Sequence, residues 1–135
     1  MSEGSAKNYR ELLIWQRSMK LVGKWYQLTK SFPEDEKFGL TSQLRRAAVS
    51  VPANIAEGFG RETTGAFVQF LRTAQGSLKE LETHMLIAEE IDIVPKQATA
   101  PLLAECDEIG RMLRSFMRSI EKSPTFPSKN LGTRN

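Results

Sequence analysis

The sequence predicts an all-α protein, an up-down-up-down antiparallel four-helix bundle, from three observations. Apolar residues recur in alternating steps of three and four within four blocks. Short segments carrying Pro or Gly separate the blocks. No stretch sustains the two-residue alternation of a strand, and no Asn-Gly or Asp-Gly hairpin turn occurs. Four helices of ~20 to 25 residues joined by short loops pack most economically as a bundle. With 135 residues, 40% of them hydrophobic, the chain holds enough apolar material for one core. The bundle is assigned to residues 9–123. Residues 1–8 and the basic tail 124–135 have no apolar periodicity and are expected to be disordered.

The first block, residues 8–31, carries a seam of Leu12, Trp15, Met19, Val22, Tyr26 and Thr29 and stops at Phe32-Pro33. The second carries Leu40, Leu44, Ala47, Ala48, Val51 and Ile55, with Thr41 or Ser42 as N-cap and an end near Gly58-Phe59-Gly60. Pro52 inside it removes a bond to the Ala48 carbonyl, a loss of about 3 kcal/mol that predicts a kink. The third block starts after Thr63-Thr64, carries Phe67, Phe70, Leu71, Ala74, Leu78, Leu81, Met85 and Ala88, and breaks between Asp92 and Pro95. Gly76 weakens it by about 1 kcal/mol against Ala, which predicts close approach of another backbone there. The fourth block repeats the seam as Leu102, Cys106, Ile109, Leu113, Phe116 and Ile120, with Pro101 suited to a first turn.

On the first helix the seam leaves Ile14, Leu21, Trp25 and Leu28 clustered ~120° away. A second apolar stripe is either a broad edge of the core or a contact between subunits, and the contact is the reading taken forward. Small residues on the second helix, from Ala47 to Gly58, permit tight helix approach.

The net charge of +3 is small, but it is polarised. Arg10, Arg17 and Lys24 repeat by seven with Lys20 beside them, forming one basic ridge; Arg111, Arg114, Arg118 and Lys122 form another on the last helix. The third helix is acidic through Glu80, Glu82, Glu89 and Glu90. The ridges are candidates for gripping nucleic-acid phosphates, with solubility as the plain alternative and Asp107 and Glu121 as local neutralisers. Arg45 and Arg46 lie among small and apolar residues with Ser50, Asn54, Glu57 and Arg61 along one polar side, which reads as a hydrogen-bonded seam at a helix or subunit junction.

Catalytic and metal chemistry finds little support. One histidine, His84, and one cysteine, Cys106, exclude a di-iron bundle and the usual zinc spacings, so no metal or cofactor is expected. Cys106 lies on a core seam and reads as a small buried hydrophobe. Gly58-Phe59-Gly60 follows a helix and lacks the Lys-Ser/Thr of a phosphate loop. An enzyme is not expected. A single cysteine, a polar start and the absence of a bilayer-length apolar run lead to the expectation of a soluble cytoplasmic protein.

The stretch Phe38-Gly-Leu-Thr-Ser-Gln-Leu-Arg-Arg-Ala-Ala-Val-Ser-Val-Pro-Ala-Asn-Ile-Ala-Glu-Gly58, followed by Phe70-Leu-Arg-Thr-Ala-Gln-Gly-Ser-Leu-Lys-Glu-Leu-Glu-Thr83, resembles the four-helix-bundle family of bacterial 23S rRNA intervening-sequence proteins. The resemblance is strongest from Phe32-Pro33 to Ala88 and extends more loosely over nearly the whole chain. It implies a homopentameric ring, and a more distant likeness to accessory proteins of diversity-generating retroelements implies RNA or DNA and a reverse transcriptase as partners. Arg45, Arg46, Pro52, Asn54, Glu57 and Gly58, the family's most distinctive positions, read as mainly architectural. The expected function is therefore non-enzymatic nucleic-acid binding by an oligomer through Arg10, Arg17, Lys20, Lys24, Arg111, Arg114, Arg118 and Lys122. Its subunit contacts are expected at Ile14, Leu21, Trp25, Leu28, Arg45, Arg46, Asn54 and Glu57. A protein-interaction scaffold that docks a reverse transcriptase is the alternative.

Overall fold

Asn8 opens the first element: its side-chain oxygen accepts the Arg10 backbone N–H at 2.9 Å and caps a 3-10 turn over Tyr9–Glu11. Leu12 then holds extended backbone, so α1 begins only at Leu13 and spans Leu13–Thr29. In the computed structural model, which describes residues 6–123 and Phe126, three further helices follow: α2 over Leu40–Gly60, α3 over Thr64–Glu90 and α4 over Lys96–Glu121. A second 3-10 turn, Glu34–Glu36, lies between α1 and α2, and no strand occurs among the described residues. The chain is all-α, with four helices, as the periodicity predicts.

The helix ends refine the sequence reading. Thr63 caps α3 by accepting the Ala66 N–H at 3.3 Å. Neither Thr41 nor Ser42 caps α2; Gly39 precedes its first turn, and the Glu36 carboxylate accepts the Leu40 N–H at 3.2 Å instead. Pro52 sits inside α2 as expected, whereas Pro101 lies five residues past the start of α4 and so is an interior proline, not a first-turn one. The left-handed residues that turn the chain after α2 and α3 are Glu62 and Asp92, with φ of 61° and 62°; neither Gly58 nor Gly60 adopts that conformation.

The core is lined by Leu44, Val51 and Ile55 of α2, Phe67, Leu71, Leu78 and Leu81 of α3, and Ile109, Leu113 and Ile120 of α4. The contribution of α1 overturns the expected subunit-contact stripe. Ile14, Leu21 and Trp25 are at most 1% exposed and pack inside the protomer, and Leu28 is half-buried against the same core. Of the seam chosen from sequence, Leu12 and Thr29 are buried, whereas Met19 and Tyr26 are exposed and Trp15 and Val22 half-buried, so its middle forms the outward flank. Two hydroxyls share the buried face. The core stripe includes Ser18, which the seam left out, and Thr29, which it included: Ser18 Oγ donates to the Ile14 carbonyl at 2.7 Å and Thr29 Oγ1 to the Trp25 carbonyl at 2.9 Å. Satisfied by their own helix, both can be buried.

Close helix approach falls at one of the two places expected for it. A Cβ on Gly58 would lie 2.5 Å from Phe70 Cβ, whereas a Cβ on Gly76 would meet nothing within 4 Å. The tight crossing is thus between α2 and α3 at Gly58, and Gly76 faces open space.

Ala6 is fully buried and Asn8 forms its cap, although both fall in the segment expected to be disordered. Phe126, expected in the tail, is buried with its ring 5.4 Å from Phe59 and 5.5 Å from Phe67. Residues 1–5, 124–125 and 127–135 of the two expected tails lie outside the described residues.

Candidate nucleic-acid interface

The apolar seam of α4 faces the core, which leaves Arg114 and Arg118, one turn apart, on its exposed side. Neither has an acidic partner among the described residues. Across from them α3 presents Arg72, Gly76 and Lys79 at steps of four and three. These five residues line a groove of about 460 Å³ between α3 and α4, together with Gln75, Met117 and Glu121. Arg72 is held loosely by Glu121 at 3.8 Å, and Lys79 reaches Glu82 at 3.3 Å. Gln75 spans to the α4 backbone, its Nε2 donating to the Gly110 carbonyl at 3.2 Å.

The rest of the expected α4 ridge divides. Arg111 bonds to Glu108, not to Asp107, and lines a separate groove of about 450 Å³ shared with Leu13 and Met112. Lys122 is exposed at the C-cap of α4. Glu121, expected to offset Lys122, reaches back to α3 and Arg72.

The α1 ridge is less available than its spacing promised. Arg10 precedes the helix, in the 3-10 turn, and its guanidinium lies 5.4 Å from the centre of the Tyr9 ring, so the seven-residue repeat with Arg17 does not continue one helical face. Arg17 forms a bidentate pair with Glu105 of α4, Nε at 2.8 Å and Nη2 at 3.1 Å. That hydrogen bonding, reinforced by the charges of Arg17, Lys24 and Lys20, lowers the Glu105 carboxyl from its ordinary value, and the same bond with the charges of Glu105 and Glu108 raises Arg17 from its own. Lys20 and Lys24 remain exposed.

The sign of the resulting pH dependence follows directly. A depressed carboxyl pKa stabilises the fold above the unfolded-state value and loses that contribution as pH falls through the folded value. Glu105→Gln is expected to lower stability by about 1 kcal/mol near pH 7, and the gap to wild type should narrow at about pH 3. Urea titrations at both pH values test this; an equal gap at both removes the ion pair as its source.

The polar residues expected at a subunit junction find partners within the protomer. Arg45 turns towards α1, its Nε donating to Thr29 Oγ1 at 2.8 Å while its guanidinium lies 4.4 Å from the Tyr26 ring centre. Asn54 Nδ2 donates to the Ser50 carbonyl and hydroxyl at 2.8 and 2.9 Å, and Ser50 Oγ meets Ser77 Oγ at 2.8 Å across the α2–α3 contact. Glu57 pairs with Arg61 at 3.2 Å. The predicted seam exists, but Arg45 is not in it. Arg46 is exposed, beside small grooves lined by Gln43 and Glu80 on one side and by Phe38 on the other. Phe38, 90% exposed, is the most exposed large apolar side chain described, and it was not singled out from sequence.

Cys106 is buried, and burial pushes its thiol up to about 12, so it stays protonated at neutral pH. Among the described residues, no group of three or more His, Cys, Asp or Glu side chains is placed to hold a metal ion, and no helix is long and apolar enough to cross a membrane.

Sequence reasoning missed Arg72 and Lys79. Counting α3 as acidic averaged over its faces, although the steps from Arg72 to Gly76 to Lys79 place one cationic stripe on a single face.

Comparisons with known proteins bear on this fold. The family model described as 23S rRNA-intervening sequence protein matches residues 10–115. A crystal structure of a protein of unknown function from the S23 ribosomal protein family of Bacteroides thetaiotaomicron superposes with a TM-score of 0.73 at 20% sequence identity. The superposition covers 78% of this chain and 99% of that one. No curated protein matches.

Proposed function

The chain belongs to the 23S rRNA-intervening sequence protein family, and from that premise we propose that it is a non-enzymatic, homo-oligomeric cytoplasmic protein that binds RNA or DNA through the phosphate backbone. Base discrimination is small in this reading. One observation carries it: Arg114 and Arg118 stand a turn apart on the exposed side of α4 without an acidic partner among the described residues, and Lys122 follows one turn on. Cations in such a row exchange their counterions for phosphates, which supplies sequence-independent affinity.

Helix pairing supports the antiparallel, up-down-up-down arrangement. Ser50 meets Ser77 while Gly58 abuts Phe70, and Gln75 meets Gly110 while Arg72 meets Glu121, pairings that suit opposite senses for α2 and α3 and for α3 and α4. Self-association is assigned to the outward flank of α1 and the adjoining loop, where Met19, Tyr26 and Phe38 leave apolar surface exposed. The ring of five comes from the family resemblance; closed symmetry repeats each cationic row around the assembly and strengthens its field.

The test is salt dependence. With a single-stranded RNA of about 20 nucleotides, replacing Arg114, Arg118 and Lys122 together by Gln should lower affinity and reduce the slope of log K against log salt by about 2. Replacing Arg17, Lys20 and Lys24 should reduce it less, because Arg17 is already engaged by Glu105. An unchanged slope in the α4 variant refutes the proposal for that helix. The scaffold reading draws on Leu86, Ile87 and Ile91, exposed towards the end of α3. It predicts a protein partner, such as a reverse transcriptase, that is retained after nuclease treatment.

A further inference from the structure

A glycine in the middle of a 27-residue helix weakens it, and the usual compensation is close packing against that position. Gly76 has none. A Cβ there would meet nothing within 4 Å, in contrast to Gly58, where the α2–α3 crossing demands its absence. What surrounds Gly76 is instead the α3–α4 groove, with Arg72 and Lys79 on its own helix and Arg114 and Arg118 opposite.

We propose that this groove is a phosphate seat for a nucleic-acid strand, gripped from both helices by Arg72, Lys79, Arg114 and Arg118, and that Gly76 keeps its floor clear for the strand. The inference rests on the nucleic-acid reading above and narrows it from a row on one helix to a two-sided cleft. Three guanidinium groups and an ammonium along one shallow, open groove match the multiple oxygens of phosphodiesters. About 460 Å³ is room for a nucleotide unit and not only an ion. The Met117 side chain adds an apolar surface within the cleft. Glu121 competes with the ligand: it holds Arg72 at only 3.8 Å between two half-exposed side chains, and an entering phosphate takes its place.

Two substitutions separate the cleft from general attraction between charges. Gly76→Leu leaves every charge in place and fills the floor; it is expected to weaken binding of the same single-stranded RNA about tenfold with the assembly mass unchanged. Glu121→Gln frees Arg72 and is expected to tighten binding. Light scattering after size exclusion reads the mass, and fluorescence anisotropy reads the affinity. If the wild-type protein binds the RNA and Gly76→Leu binds it equally well, the cleft is refuted while backbone binding elsewhere stands. A fall in assembly mass on Gly76→Leu also overturns the inference, since Gly76 then serves subunit packing. So does displacement of the RNA by polyglutamate at equal charge concentration, which assigns the groove to an acidic protein. Failure of the wild-type protein to bind RNA or DNA at low salt removes the broader reading, and this one with it.

Discussion

Trp25→Ala is expected to destabilise the protein by about 4 kcal/mol, with a fall in melting temperature of roughly 15 °C. Trp25 is fully buried against the core, and alanine leaves a cavity that the surrounding helices close only in part. Its indole N–H has no acceptor among the described residues, so Trp25→Phe retains much of the packing and removes an unsatisfied donor; a loss under about 2 kcal/mol is expected. Thermal and urea unfolding at one fixed protein concentration measure both, because assembly and stability are linked. The same variant distinguishes the two roles that the sequence allows for this residue. If Trp25 were a subunit contact, alanine would lower the assembly mass and leave the unfolding midpoint of the protomer near wild type. That outcome would falsify its place in the core.

A methyl group at Gly58 should destabilise by about 2 kcal/mol, whereas the same group at Gly76 should stabilise by about 1 kcal/mol. Both positions gain helix propensity on becoming alanine, so the opposite signs isolate the tertiary term. At Gly58 the new carbon lies 2.5 Å from Phe70 Cβ and 3.0 Å from Phe67 Cδ1. The first of these atoms is fixed to the α3 backbone, so α2 and α3 must separate along a contact that also holds the Ser50–Ser77 hydrogen bond. At Gly76 the carbon enters open space. Denaturation midpoints of the two variants decide the matter: a gain at Gly58, or a loss at Gly76, contradicts the packing described.

Among the site residues, the unpartnered α4 cations Arg114 and Arg118 were legible, because an exposed helical face with steps of four is a property of one segment. The availability of Arg17 was not. Its partner Glu105 lies 88 positions away, and only the packing of α1 against α4 brings them together. Arg111 and Glu121 show the same limit at shorter range. Arg111 chose Glu108 over the equally plausible Asp107, and Glu121 left its neighbour Lys122 for Arg72 of another helix.

The glycines make the point sharpest. Sequence reads close approach at both Gly58 and Gly76, and packing alone separates a tight crossing at the first from an open groove at the second.

The amino-acid order by itself determined the all-α class, the four blocks and, through the residues from Phe38 to Thr83, the family, since periodicity, breaking residues and motif are all local patterns. Tertiary structure alone decided which of two apolar stripes on α1 turns inward. The inward face carries Ser18 and Thr29, whose hydroxyls are satisfied by carbonyls of the same helix and which therefore share it with Trp25. It also decided which cations face one another across α3 and α4, because that depends on the rotation of each helix about its axis, and the rotation is set by the summed packing of the whole core.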